Sequence, residues 1–322
     1  MASRDDGGGG GLIATTAGSR LEVVGTDGVV RLSKDLGTAI IGMAGHSAVQ
    51  LQPGGRLVAC VLGGGKAGVA VLSVADGSEA FRIKCRSSGV YETAWSPDGT
   101  LLAVAASTGV HVRAVAGGGA EVCRLHEGNI MFCCAFDRSG SRLAMGGQQD
   151  DNRVTVWDVT TWSQTHTLRT DKEQYRVCFS PIADRIAYHS VDDVVVRSLD
   201  EFNTSGEQPI RLPDVDASGI LSFSPDGDFL LCCPSDRMAF DQHEMRVLDL
   251  NTGTAAAWGA ALRVMALPLA GGVLNGRTLG WGQLVNTDDG SEATSHSWVL
   301  YGAVGSQFVV ADIQAARNAI ED

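Results

Sequence analysis

The segment Asp214-Val215-Asp216-Ala217-Ser218-Gly219 sets oxygen donors at alternate positions with a glycine at the sixth, the opening of a calcium loop. Asp214, Asp216 and Ser218 would hold the cation, but the bidentate acid wanted at position twelve is Pro225. A polar turn between strands is therefore expected, with a weak cation site as the alternative. Gly63, Gly65 and Gly68 match G-x-G-x-x-G, whose N–H groups meet a pyrophosphate only when a helix follows. Here Val69-Ala70-Val71-Leu72 follows, so the glycines belong to a hairpin loop. His243-Glu244 has no second His four residues after the first, which removes a helical zinc pair. The eight cysteines contain no Cys-x-x-Cys. They fall at apolar positions, and neighbours such as Cys133 and Cys134 should point to opposite faces of a strand. Buried, reduced thiols suit a cytoplasmic or nuclear protein rather than a secreted one. The chain has no G-x-S-x-G, no P-loop and no ordered Ser/His/Asp set. The pairs Asp150-Asp151, Asp192-Asp193 and Asp288-Asp289 sit in polar stretches and read as solvated hairpin tips. These residues point away from an enzyme and imply no cofactor.

Whole-chain quantities narrow the partners. Of 322 residues, 44% are apolar and 19% charged, enough for a real core. The 25 basic and 37 acidic residues give a net charge of −12, which argues against nucleic acid and anionic membranes and favours partners with basic surfaces. Met1 to Asp6 followed by Gly7–Gly11 has no apolar core after a basic start, so residues 1–11 read as a flexible leader rather than a signal peptide. The one membrane-like stretch, Ala255 to Leu274, is interrupted by Arg263 and Pro268. A soluble chain is expected, with residues 314–322 as a C-terminal tail.

A turn signature recurs along the chain. It reads Pro53-Gly54-Gly55, Ser96-Pro97-Asp98-Gly99, Asp137-Arg138-Ser139-Gly140, Ser180-Pro181-Ile182-Ala183 and Ser224-Pro225-Asp226-Gly227. The last residues are spaced 44, 41, 43 and 44 apart, and a further 44 reaches Gly271. Counting back 37 reaches Gly18. Three residues after these seven anchors stand Leu21, Val58, Leu102, Leu143, Ile186, Leu230 and Leu274, all aliphatic. Four residues before stand Ala14, Leu51, Trp95, Phe136, Phe179, Phe223 and Leu267, mostly large, and the column before that is mostly small. Large beside small along a strand means two unlike faces, one packed on a neighbouring sheet and one crowded. Four short strands per unit and a period of this length predict an all-β fold, a seven-bladed β-propeller of four-stranded antiparallel blades over residues 12–313. For ring closure, Leu12–Thr16 as an inner strand and Gln307–Ile313 as the outermost strand of the last blade is preferred. In the alternative, Val309–Ile313 is a third strand and Leu12–Thr16 the fourth.

One unit carries more than periodicity. His126-Glu127-Gly128, then Cys134-Ala135-Phe136, Arg142-Leu143-Ala144 and Val154-Thr155-Val156-Trp157-Asp158 resemble a WD repeat, with Gly45-His46 as a second copy of its opening. The resemblance implies a protein-interaction role and, within a blade, a hydrogen-bonded set of His, turn Asp, hydroxyl and Trp. His126, Asp150 or Asp151, and Trp157 with Asp158 match that set, and His46 matches its start elsewhere. The hydroxyl falls in Met145-Gly146-Gly147 and is missing, so only part of the network is expected. No paired-arginine lipid motif is present, and the position two after Trp-Asp is Thr160 rather than Arg.

In such a ring the loops where inner strands begin converge on the channel mouth. Eight residues before the anchors this column reads Gly10, Ser47, Tyr91, Phe132, Tyr175, Gly219 and Arg263, with Glu92 and Arg176 next in line. Tyr, Phe and Arg are the types enriched at binding hot spots. Tyr91, Glu92, Phe132, Tyr175, Arg176 and Arg263 are therefore the candidates for contact with other proteins, in a monomeric ring or as a subunit of a hetero-complex. The competing reading is an enzyme or a metal- or ligand-binding propeller using Glu92, Arg176 and Asp214/Asp216 at the same mouth.

Overall fold

The computed structural model describes residues 12–25, 28–41, 48–63, 68–85, 89–148, 152–170, 172–190, 193–199, 209–213, 217, 220–224, 226–233 and 246–250. Beyond these it gives backbone strands within 254–312. Every regular element among them is a strand. The first sheet holds β1 (Leu12–Ala17), β2 (Arg20–Gly25) and β3 (Val30–Asp35). The second holds β4 (Val49–Leu51), β5 (Leu57–Leu62), β6 (Gly68–Ser73) and β7 (Glu79–Lys84). The third holds β8 (Val90–Trp95), β9 (Leu101–Ala106), β10 (Gly109–Ala114) and β11 (Ala120–Leu125). The fourth holds β12 (Ile130–Phe136), β13 (Arg142–Gln148), β14 (Arg153–Asp158) and β15 (Gln164–Arg169). The fifth holds β16 (Gln174–Phe179), β17 (Arg185–Ser190), β18 (Asp193–Ser198) and β19 (Ile210–Pro213). The sixth holds β20 (Ile220–Phe223), β21 (Phe229–Cys233), β22 (Arg246–Asp249) and β23 (Thr254–Ala257). The last described sheet holds β24 (Leu267–Pro268), β25 (Thr278–Leu284), β26 (Ser297–Val304) and β27 (Gln307–Asp312).

The second to sixth sheets are antiparallel meanders in chain order, and their first strands β4, β8, β12, β16 and β20 lie side by side. The repeated turn joins the first strand to the second in each. Closure is the same five times, from the N–H of Gln52, Ser96, Asp137, Ser180 and Ser224 to the carbonyl five residues on. Gly55, Gly99, Gly140 and Gly227 turn the chain with φ between 69° and 75°, a region that glycine enters without a Cβ penalty. Ala183 does not adopt it. Its turn is built differently, with the Ser180 hydroxyl accepting the N–H groups of Ile182 and Ala183.

Burial follows the sequence columns. Val58, Leu102, Leu143, Ile186 and Leu230 are fully buried and pack on the preceding sheet, Leu102 against Ala59 and Val61 and Leu143 against Ala103 and Ala105. Cys133 and Cys134 enter different clusters on opposite faces of β12. Cys60, Cys133, Cys134 and Cys232 are buried and unbridged, with Cys85, Cys123 and Cys178 half-buried and free. Burial pushes the Cys60 thiol up to about 12. The glycine hairpin ends in a strand, β6, not a helix.

The first sheet departs from the expected register. Leu21 packs on the following sheet, against Val58 and Cys60, not on a preceding one. The two-residue turn Gly18-Ser19 matches the second-to-third turn Ser107-Thr108 between β9 and β10. The irregularity at Val23/Val24 matches those at Val71/Leu72, Val112/Arg113 and Val156/Trp157, all between third and fourth strands. Gly77 sits against Leu32 as Gly119 sits against Phe81 of β7, an outermost strand. β1, β2 and β3 therefore correspond to second, third and fourth strands. The expectation that Leu12–Thr16 is an inner strand is corrected: Gly18 closes a tight hairpin and is not one of the anchors.

The last sheet also differs, with order β24-β27-β26-β25. Gln307–Asp312 lies between Leu267–Pro268 and Ser297–Val304, not at the outer edge. Only Gly305 and Ser306 separate β26 from β27, and so short a connection favours their pairing as a hairpin.

Candidate interaction site

Three successive sheets begin their inner strands the same way. β8, β12 and β16 each carry a bulge, and the extra residue is Tyr91, Phe132 and Tyr175 in turn. A bulge inserts one residue on one strand and re-aims its side chain. The residues paired at these strand starts are small: Ala106, Gly147 and Ser190. At Gly147 the space is gone, since a Cβ would stand 2.3 Å from the Ile130 carbonyl oxygen and 2.7 Å from Met131 Cα. The bulged backbone thus occupies the site where other residues would carry a side chain.

The three rings form a continuous row across three sheets. Tyr91 and Phe132 meet edge to face at 4.9 Å, and Phe132 and Tyr175 stack at 5.2 Å. His189 closes the row, 6.1 Å from Tyr175. All three aromatic residues are half-buried, so they keep solvent-facing surface. Aromatic pairs of this geometry add roughly 0.5–1.5 kcal/mol beyond their area burial. The Tyr175 hydroxyl donates to Glu173 Oε2 at 3.2 Å, and burial followed by the Glu173 charge holds that phenol above its ordinary pKa.

Beneath the row lies an ion pair that spans the same three sheets. Arg176 NH1 donates to Glu92 Oε1 at 2.9 Å, while Glu92 Oε2 accepts the N–H of Cys134 at 3.0 Å. Glu92 belongs to β8, Cys134 to β12 and Arg176 to β16. Arg176 is only 5% exposed, so it is an internal group rather than a surface one. Burial lowers its pKa, and the Glu92 carboxylate works against that shift.

The motif unit forms a compact set. His126 Nε2 lies 2.9 Å from Thr155 Oγ1, and Trp157 Nε1 donates to the same hydroxyl at 3.1 Å. The two rings meet edge to face at 5.6 Å. The hydroxyl that the sequence reading found missing from Met145–Gly147 is supplied by Thr155, fully buried two residues before Trp157. An alternating β14 strand places both side chains on one face, which is the signal that could have found it. Asp158 lies apart from this set: its Oδ1 caps the next turn through the N–H groups of Thr160 and Thr161.

The remaining candidates, His46, Asp150, Asp214, Asp216, Ser218 and Arg263, lie outside the described residues. Among the described residues no three His, Cys, Asp or Glu side chains gather as a metal ion would require. No helix among them is long and apolar enough to cross a membrane. The arrangement at the row is one of apolar contact and fixed charge.

No curated protein matches the chain at a significant level. Residues 121–158 match the family model of the WD domain, G-beta repeat. That segment runs from β11 through β14 and contains His126, Thr155, Trp157 and the bulge at Phe132. Residues 121–158 thus form a WD repeat, set among recurring four-stranded antiparallel sheets.

Proposed function

We propose that the protein is a non-catalytic docking platform, a seven-bladed ring whose row Tyr91, Phe132 and Tyr175 is the contact surface for another protein. WD40 repeats generally mediate protein–protein interactions, and the aromatic row is the observation that carries the assignment here. Half-buried rings on a rigid sheet edge lose little conformational freedom on binding, which is why such residues dominate interface energetics. The ring closes where the first sheet, short of an inner strand, meets the last. A net charge of −12 favours a partner with a basic surface. The protein works in the cytoplasm or nucleus, alone as a ring or inside a hetero-complex, and uses no cofactor.

Affinity capture with mass spectrometry tests the assignment. Phe132→Ala and Tyr91→Ala should lose partners that the unaltered chain retains. Arg138→Ala and Ile182→Ala, on the turns at the opposite strand ends, should retain them. Loss by the second pair and retention by the first would move the contact to the other rim and overturn the reading.

A further inference from the structure

The aromatic row has one structural member below each ring. Glu92 follows Tyr91, Cys134 stands two after Phe132, and Arg176 follows Tyr175. The carboxylate touches both of the others, so three sheets separated by loops are tied at one atom group. We infer that Glu92 and Arg176 are positioning residues for the docking row, a brace that sets the spacing of the three rings by holding β8 and β16 at a fixed distance across β12. The inference rests on the docking assignment for its purpose and on the side-chain geometry for its substance.

The placement of the charges supports this role over partner contact. Arg176 is almost wholly withdrawn from solvent and its NH1 meets the Glu92 carboxylate at 2.9 Å. A buried pair of this kind contributes little net stability compared with an apolar replacement, but removing one member leaves an uncompensated charge. Its position beside three aligned bulges fits a demand for geometry. A guanidinium and a carboxylate meet over a narrow range of distance and angle, whereas aliphatic packing would let the sheets slide. The bulges make that constraint necessary, because each interrupts the ladder that would otherwise fix the ring-bearing residue.

Tyrosine nitration by tetranitromethane, mapped by mass spectrometry on the full chain, reads the row without any partner. Tyr188, 4% exposed on the neighbouring β17, is the internal control for general loosening. Glu92→Gln keeps an oxygen for the Cys134 N–H and removes both the charge and the acceptor that face Arg176. It should raise nitration of Tyr91 and Tyr175 several-fold and leave Tyr188 unchanged. The neutral pair Glu92→Gln with Arg176→Gln should return both towards the original rate, since no charge is stranded. Unchanged rates at Tyr91 and Tyr175, a rise shared by Tyr188, or a double variant at least as reactive as Glu92→Gln would each overturn the brace. Partner capture with Phe132→Ala remains a separate readout, so loss of the brace and loss of the docking assignment are distinguishable.

Discussion

A single hydroxyl carries the motif unit. Thr155 receives the Trp157 N–H within its own strand and faces the ring of His126, on the connection from β11 to β12. Thr155→Val keeps the shape but removes the acceptor of the Trp157 N–H and the hydroxyl facing His126 Nε2, so it should cost about 1–3 kcal/mol in urea denaturation; an unchanged midpoint would show the set to be ornamental. Asp137 is a second residue of consequence. Burial raises its pKa, but the Arg142 N–H, the Ser139 hydroxyl and the Arg142 guanidinium outweigh that and hold it below the unfolded 3.8. A depressed folded pKa stabilises the fold above the unfolded value and stops doing so as pH falls through the folded one. Acid unfolding should therefore begin at higher pH in the wild type than its neutral-pH stability alone would suggest, and Asp137→Asn should flatten that slope below pH 3.8 while lowering stability at neutral pH.

At the scale of the element, the bulged strands decide where the rings stand. Gly147→Val should press on the β12 backbone at Ile130 and Met131, cost about 1–3 kcal/mol by overpacking, and shift the Phe132 ring resonances. A variant with unaltered melting and spectrum would mean that the bulge is not set by this contact. Much at this scale was legible in the sequence. The anchor spacing located five hairpins, and the aliphatic column located fully buried core residues such as Leu102 and Leu143. What escaped was anything decided by pairing register. The bulges at Tyr91, Phe132 and Tyr175 leave no sequence signature, because they depend on small residues on the facing strand. The two-residue hairpin at Gly18-Ser19 was misaligned for the same reason: a glycine fits either turn, and an odd shift in register swaps the two faces of a strand. Arg176 was picked out by its column and residue type, and its 5% exposure beside Glu92 shows it to be internal.

At the scale of the molecule, neighbouring sheets are linked through their turns as well as their cores. Gln52 Nε2 donates to the Gly99 carbonyl at 2.7 Å, and Arg138 NH1 to the Pro181 carbonyl at 3.1 Å. Arg142 pairs with Asp137 of its own sheet and Asp184 of the next, with its guanidinium 5.4 Å from the Phe179 ring. The second and third sheets and the fourth and fifth are therefore joined by short links at their turns, as neighbours in repeat architectures are. If the ring closes at the first sheet, β1 has a neighbour on both sides, and its amides should exchange with deuterium as slowly as those of β9, its counterpart. Fast exchange confined to β1 would mean an open ring.

The correspondence of β1 with a second strand also bears on the order of manufacture. β1 leaves the ribosome before any of the sheets that follow it. If the ring closes, any partner strand from the C-terminal side reaches it only after those sheets have been made. Until then one edge of the nascent sheet presents unmatched N–H and carbonyl groups, a template for pairing with another chain. The five glycines ahead of Leu12 have low strand propensity and are poor material for such pairing. Slower translation and added chaperone should then raise the share of this protein recovered in soluble form.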